Sequence, residues 1–116
     1  MKPIVVDAMG GDNAPSVIVD GAREALSSGI PVELVGDPAR ISNYDGIVLH
    51  PALEVIEMHD EPGRAVRTKK DSSIVRAAEY VRDGHASAMV SAGNTGAVAA
   101  AALLRMKRLK GVNRPA

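Results

Sequence analysis

Residues 91–96, Ser-Ala-Gly-Asn-Thr-Gly, combine the residue types that bind oxyanions. An apolar run at residues 86–90 precedes them and an Ala-rich segment follows, which predicts a strand, a loop and then a helix. The first N–H groups of a helix have no partner within it, and the helix dipole adds positive potential there, so phosphate is favoured. The residues predicted to contact such a group are Ser91, Gly93, Asn94, Thr95 and Gly96.

A second glycine-bearing loop, Asp-Ala-Met-Gly-Gly-Asp, occupies residues 7–12. It follows the apolar residues 3–6 and precedes Pro15, a residue type common at the start of a helix. Gly10 and Gly11 are typical of a tight turn, and the sequence leaves open whether they also serve a ligand. Because loops of this kind converge beyond the carboxyl ends of parallel strands, the two loops are predicted to face one crevice.

Two acidic residues and a basic segment flank these loops. Asp7 and Asp12 repel an anion unless they are hydrogen-bonded or paired with a cation, so they are predicted to position the loop. Lys70, Ser72 and Ser73 combine a cation with hydroxyls at a predicted helix start, which makes them a second candidate for phosphate binding. A solvent-exposed basic helix end explains the same residues, and both interpretations stay open.

The composition excludes several classes of protein. The 116 residues contain 14 Lys plus Arg and 14 Asp plus Glu, so no net charge favours nucleic acid, and no nucleic-acid partner is expected. Cysteine is absent, which excludes disulfides and thiolate chemistry and fits a reducing compartment. No apolar stretch approaches the roughly 20 residues of a membrane-spanning helix, and no signal-peptide pattern opens the chain.

Hydrophobic periodicity predicts alternating strands and helices. Strands are predicted at residues 3–6, 31–35, 47–50 and 87–90, and residues 53–58 fit either a strand or an extended loop. Helices are predicted from Pro15 to Gly29, at 39–42, at 62–70, from a cap at Asp71 or Ser72 to Gly84, and at 95–109. The apolar positions of the first helix are Val17, Ile18, Ala22, Ala25 and Leu26, and the third and fourth helices are predicted to form a hairpin. This alternation predicts a three-layer α/β/α fold with a mainly parallel sheet.

Other chemistries lack their motifs. The glycine spacing near the start is not G-x-G-x-x-G and no P-loop sequence occurs, so nicotinamide and P-loop chemistry are not expected. His50, His59 and His85 lack metal-ligand spacing and are interpreted as solitary surface or packing residues. Neither a metal nor a cofactor is therefore expected. The pair Asp60 and Glu61 fits a helix entrance or a catalytic base.

These motifs together resemble the bacterial phosphate acyltransferases of the fatty acid and phospholipid synthesis (PlsX) family. The matching segments follow the family's order and approximate spacing, at residues 7–12, 14–15, 70–73, 91–97 and 114–116. Residues 59–63, His-Asp-Glu-Pro-Gly, depart from the family's commoner Met-Asp-Glu-Pro-Pro by an inserted histidine and a glycine in place of proline. The resemblance covers the whole chain but only the N-terminal part of the family's longer proteins.

The resemblance implies transfer of a fatty acyl group from acyl carrier protein to inorganic phosphate, which forms acyl phosphate for phospholipid synthesis. It also implies a fold related to phosphotransacetylase and isocitrate dehydrogenase, and a homodimer. Peripheral association with the inner face of the membrane would involve regions outside this segment. Residues 1–116 would then be the N-terminal portion of a single α/β/α catalytic domain that continues further.

Inorganic phosphate is the nucleophile in such a reaction, and donors are needed for its charge and for the developing oxyanion. Asn94 and Thr95 are the predicted catalytic residues, and Asn94→Ala is expected to lower turnover with little loss of folding. The residues predicted to bind substrate or phosphate are Gly10, Gly11, Lys70, Ser72, Ser73, Ser91, Gly93 and Gly96, with Asp7 and Asp12 positioning the loop. The alternatives are a non-catalytic phosphate- or nucleotide-binding module and a dehydrogenase lobe of the related fold.

Overall fold

The structure, a computed structural model, describes residues 2–105, without the side chain of Arg105. The predicted continuation of the last helix to residue 109 and the motif at residues 114–116 lie outside the described residues. The described elements are β1 (Ile4–Asp7), α1 (Ser16–Ser27), β2 (Val32–Gly36), β3 (Leu49–Pro51), α2 (Pro62–Thr68), α3 (Ser73–Arg82), β4 (Ala88–Val90) and α4 (Thr95–Arg105). No helix among the described residues is long and apolar enough to cross a membrane.

The four strands form one parallel sheet in the order β3-β2-β1-β4. Ile4 of β1 is in register with Val32 of β2 on one side and with Ala88 of β4 on the other. Because β1 and β4 are adjacent and parallel, the loops that follow them leave the sheet at the same end, beyond the carboxyl ends of the strands. The predicted parallel sheet is therefore confirmed.

Side chains alternate between two helix-covered faces, as the period of a strand requires. The buried residues on the α1 face include Val19, Ala22, Val32 and Leu34. Those on the α3 face include Val5, Val35, Ala77 and Ala86. Helices on both faces of the sheet confirm the predicted three-layer α/β/α fold.

The predicted hairpin of the third and fourth helices is wrong in its packing. Instead of packing mainly against each other, α2 and α3 both pack against α4. Their shared cluster contains Ala65, Val66, Ile74, Val75, Ala97 and Ala101. Small alanines on α4 let it lie close to both helices, a contact that the sequence period alone does not specify.

Two further local predictions need correction, and one alternative that the sequence left open is resolved. The helix predicted at residues 39–42 is absent, because the Asp37 side chain and carbonyl accept hydrogen bonds from Ala39 and Arg40 and close a turn. The strand predicted at residues 47–50 instead spans Leu49–Pro51. Residues 53–58 form an extended segment that meets the start of α3 through a single bridge between Glu54 and Ser72.

The buried face of α1 also differs from the predicted one. Val19, which the predicted apolar set omitted, is 2% exposed, whereas Val17 is 56% exposed. Leu26 is exposed as well. Val17 lines an apolar groove of about 340 Å³ between α1 and the sheet, together with Val90 of the edge strand β4.

Candidate functional site

The two glycine-bearing loops contact each other directly at Gly10 and Gly93. A Cβ atom added to Gly10 would lie only 2.7 Å from the backbone nitrogen of Gly93 and 2.8 Å from the Asp7 carboxylate. Gly11 has a positive φ of 96°, and its added Cβ would lie 3.2 Å from the Cβ of Ala92. The predicted convergence of the loops at the carboxyl end of the strands is confirmed. It requires glycine at positions 10 and 11.

Asp7 is buried at this junction and binds both loops. Its Oδ1 accepts a hydrogen bond of 2.9 Å from the backbone N–H of Met9. Its Oδ2 accepts one of 2.8 Å from the Ser91 hydroxyl, whose oxygen accepts a bond from the N–H of Gly93. The buried carboxylate is thus satisfied by the protein itself, which makes Asp7 a structural link between β1 and the loop after β4.

Asn94 is buried, and its side chain is used by the structure. Its Nδ2 donates hydrogen bonds to the carbonyl oxygens of Glu57, Met58 and Asp60, at 3.1, 3.4 and 3.1 Å. Its Oδ1 accepts a bond of 3.0 Å from the N–H of Ala97, which caps α4. The predicted contact between this side chain and phosphate therefore stays a prediction, beside an evident role in holding the loop at residues 57–60.

The first turn of α4 offers free donors. The backbone N–H groups of Asn94, Thr95 and Gly96, and the Thr95 hydroxyl, have no hydrogen-bond partner in the part of the chain that the structure describes. Thr95 and Gly96 are exposed. A Cβ on Gly96 would lie 2.6 Å from the Cγ of Pro62, so glycine lets the start of α4 approach α2.

The second candidate set, Lys70, Ser72 and Ser73, is only partly accessible. Lys70 is exposed, whereas Ser72 and Ser73 are almost completely buried. Ser72 caps α3 through a bond from the N–H of Val75 to its hydroxyl oxygen. The start of α3 nevertheless borders the loop after β4, since a Cβ on Gly93 would lie 3.5 Å from the Cδ1 of Ile74, the residue after Ser73.

Asp12, predicted to position the first loop, is exposed. It makes no hydrogen bond or ion pair with another described residue. Its negative charge therefore lies in solvent, and nothing in the geometry distinguishes a role for it.

Two charged residues shape the loop that Asn94 holds. Lys69 Nζ donates to Asp60 Oδ2 at 2.7 Å and to the carbonyl of Val55 at 2.8 Å. The hydrogen bond from Lys69 lowers the pKa of Asp60 below its ordinary value, and a second bond, from the N–H of Glu57, lowers it further.

Glu61 caps α2 by accepting bonds from the N–H groups of Gly63 and Arg64. This geometry confirms the helix-entrance interpretation of the acidic pair.

The structure corrects the interpretation of the histidines as solitary. His50 and His85 lie together around Glu33, with their Nε2 atoms 2.6 and 2.9 Å from its Oε1. Burial raises the pKa of Glu33, but the hydrogen bonds and charges of the two histidines together lower it by more. The pKa of Glu33 therefore lies below its ordinary value. His59 remains apart and is 84% exposed. A charged residue within the otherwise apolar β2 was the sequence signal for this cluster.

Comparisons with known proteins agree with the motif resemblance. Residues 2–116 match the family model described as fatty acid synthesis protein. A protein named phosphate acyltransferase from Anaeromyxobacter sp. (strain K) is 52% identical over 125 residues, which cover 100% of this chain and 35% of the relative. Proteins of the same name from Bacillus pumilus (strain SAFR-032) and Streptococcus equi subsp. zooepidemicus (strain MGCS10565) are 50% and 49% identical, covering 97% and 99% of this chain and 36% of each relative.

The chain thus spans about a third of the length of the curated relatives it matches. The match nevertheless includes both glycine-bearing loops and the loop that Asn94 holds. On this evidence, the chain belongs to the fatty acid synthesis protein family.

Proposed function

We propose that the full-length protein transfers a fatty acyl group from acyl carrier protein to inorganic phosphate and so forms acyl phosphate for phospholipid synthesis. The observation that carries the proposal is the set of free N–H groups at residues 94–96, placed at the start of α4 and beside the loop after β1. The relatives' shared name, phosphate acyltransferase, supports the same chemistry.

The chemistry requires no covalent intermediate on the protein. An oxygen of phosphate attacks the thioester carbonyl carbon and forms the C–O bond, while the C–S bond breaks and the carrier-protein sulfur leaves as a thiolate that takes up a proton. Donors must hold the phosphate and stabilise the oxyanion that develops on the carbonyl oxygen. The N–H groups of Thr95 and Gly96 and the Thr95 hydroxyl are suitably exposed for these two tasks.

The roles of the remaining predicted residues follow from their burial. The backbone N–H of Asn94 joins the donor set, while its side chain positions the set by capping α4. Lys70, which is exposed, adds positive charge, and the buried Ser72 and Ser73 support the start of α3. Gly10, Gly11 and Gly93 keep the facing walls close, and the Ser91 hydroxyl with Asp7 holds the walls together.

The assembly and location are part of the same proposal. The family resemblance supports a cytoplasmic homodimer that associates peripherally with the inner face of the membrane through regions outside this segment. Sedimentation of the full-length protein at a dimer mass, and its flotation with vesicles of bacterial phospholipid, would test these two points. A monomer that stays with the soluble fraction would contradict them.

The test of the activity uses full-length protein with acyl carrier protein loaded with a fatty acyl chain. Phosphate-dependent release of carrier thiol, with an equal amount of acyl phosphate trapped by hydroxylamine, is the expected result. Thr95→Ala should lower turnover about 100-fold, the usual effect of losing one such donor, whereas Ser42→Ala at an exposed loop position should not. Phosphate binding without any thiol release would instead favour the non-catalytic binding module.

A further inference from the structure

Three side chains from separate elements converge on the α3 face of the sheet. Glu33 comes from β2, His50 from β3, and His85 from the segment between α3 and β4. One ligand atom from each residue, a carboxylate oxygen and two imidazole nitrogens, all lie within 4.8 Å of one another. The imidazole rings meet edge to face, with their centroids 5.1 Å apart. These three potential ligand atoms therefore surround one point in space.

Two imidazole nitrogens and a carboxylate oxygen are a ligand set typical of zinc and related divalent transition metals. We propose that Glu33, His50 and His85 bind one Zn²⁺ ion, or a divalent ion of similar preference, with water at the fourth position. This inference does not depend on the proposed acyl transfer.

Two of the three ligand separations, those from Glu33 Oε1 to the histidines, are close to those that the ion needs. Zinc bonds of about 2.0–2.1 Å in a tetrahedral site place ligand atoms roughly 3.3 Å apart. The observed separations of 2.6 and 2.9 Å from Glu33 Oε1 must therefore open by less than about 1 Å. His85 is 45% exposed and lies outside regular structure, so its side chain can make this adjustment and leaves an approach for the ion.

The surroundings favour a fixed and partly shielded site. The side chains of His50 and Glu33 are only 19% and 20% exposed, which limits the freedom lost on binding. The ring of Tyr80 lies 4.5 Å from that of His50 and 5.4 Å from that of His85, between centroids, and so forms one wall. An ion here would tie the edge strand β3 and the segment before β4 to β2.

The site is separate from the candidate acyl-transfer site. His50 is in register with Val35, which is in register with Asp7, so one strand separates His50 from the loop junction. Two inter-strand spacings correspond to about 10 Å between the backbones. Removing the ion should consequently lower the stability of the edge strand β3. It should not remove a group that takes part in acyl transfer.

Calorimetric titration with ZnCl₂ of chelator-treated, full-length protein tests the proposal. We expect one ion per chain with a Kd of about 1 μM or tighter, and a rise in the unfolding temperature as zinc is added. His85→Gln should weaken binding by more than about 100-fold, beyond the loss usual for an outer-sphere partner. His59→Gln is the matched control, because His59 is 84% exposed and lies outside the cluster.

A second measurement keeps the test independent of variant folding. Co²⁺ bound to the wild-type protein should give the visible absorption of a four-coordinate site, and the NMR signals of His50 and His85, but not His59, should shift with one equivalent of zinc. Absence of saturable zinc binding below about 1 mM would overturn the proposal. Equal zinc affinity in the wild-type protein and a folded His85→Gln variant would overturn it too, and would leave the cluster as a purely hydrogen-bonded histidine–glutamate group.

Discussion

The Ser91 hydroxyl donates a hydrogen bond of 2.8 Å to the buried carboxylate of Asp7, a residue 84 positions earlier in the chain. Asp7 ends β1 and Ser91 directly follows β4, so this bond joins the two loops at the carboxyl edge of the sheet. The same serine oxygen accepts a bond from the N–H of Gly93. The bond therefore determines where the loop before α4 lies relative to the rest of the sheet.

Ser91→Ala should destabilise the protein, because the buried carboxylate of Asp7 loses the hydrogen bond from the Ser91 hydroxyl. The expected decrease in the free energy of unfolding is about 1.5–3 kcal/mol, the usual contribution of a hydrogen bond to a charged group. Urea unfolding at neutral pH measures it. Ser87→Ala is the control, since Ser87 is exposed and its hydroxyl makes only long bonds of 3.4 Å to other described residues. This substitution should change stability by less than about 0.5 kcal/mol. Equal effects of both substitutions would refute the assigned role of the Asp7 bond.

Gly10→Ala should destabilise the protein through a steric clash, because its Cβ would lie 2.7 Å from the Gly93 nitrogen. Backbone atoms cannot move aside as a flexible side chain can. We therefore expect the free energy of unfolding in urea to fall by about 1–3 kcal/mol. Gly21→Ala provides the contrast. Gly21 lies within helix α1, and a Cβ added there meets no neighbouring atom within 4 Å. This substitution should raise the free energy of unfolding by about 0.5–1 kcal/mol. If Gly10→Ala proved as harmless, the loops would not be in the close contact described.

Asn94→Ala should lower both stability and turnover, which revises the expectation of little loss of folding. The substitution removes the cap of α4, at a cost of about 0.5–2 kcal/mol, and releases the carbonyl groups of Glu57 and Asp60. Asn94→Asp keeps an oxygen that can cap the helix but replaces the donor with a charge facing carbonyl oxygens. In urea unfolding, Asn94→Asp should lose less stability than Asn94→Ala, because the helix cap is kept. Its formation of acyl phosphate should still be lowered, because the donor to the carbonyl groups is lost. A fully stable Asn94→Ala protein would show that these hydrogen bonds contribute little.

The Asp60–Lys69 pair should make stability depend on acid pH. Folding lowers the pKa of Asp60 from its ordinary 3.8, chiefly through the hydrogen bond from Lys69. A carboxyl with a lowered folded pKa contributes stability above its unfolded pKa, and that contribution is lost as the pH falls through the folded value. Lys69→Ala should therefore lower the urea midpoint more at pH 7 than at a pH below about 3.

Lys70→Ala is the matched control for this comparison, because Lys70 is the neighbouring lysine, is exposed and forms no ion pair with another described residue. Its effect on the urea midpoint should be small and the same at both pH values. A Lys69→Ala difference that does not shrink in acid would mean that the bond from Lys69 to the Val55 carbonyl, and not the ion pair, stabilises the loop.

The order of the elements was largely predictable from the sequence. Apolar runs such as the one ending at Val90, followed by glycine and polar residues, indicate a strand that leads into a helix, and these signals are local. The same reasoning failed at residues 39–42, where the side chain of Asp37 competes for backbone N–H groups. It also selected Val17 over Val19 on α1, because apolar spacing does not reveal which part of a helix the sheet covers.

By itself, the sequence determined the α/β class, the parallel strands and the resemblance to a family, whereas anion binding at residues 91–96 stays a prediction. Only the tertiary structure decided that Ser91 bonds to Asp7, that the Asn94 side chain is occupied by carbonyl groups, and that His50 and His85 share Glu33. The physical reason is that helix and strand periods arise from neighbouring residues, whereas these contacts join distant segments. They exist only after strand order and helix packing have brought those segments together.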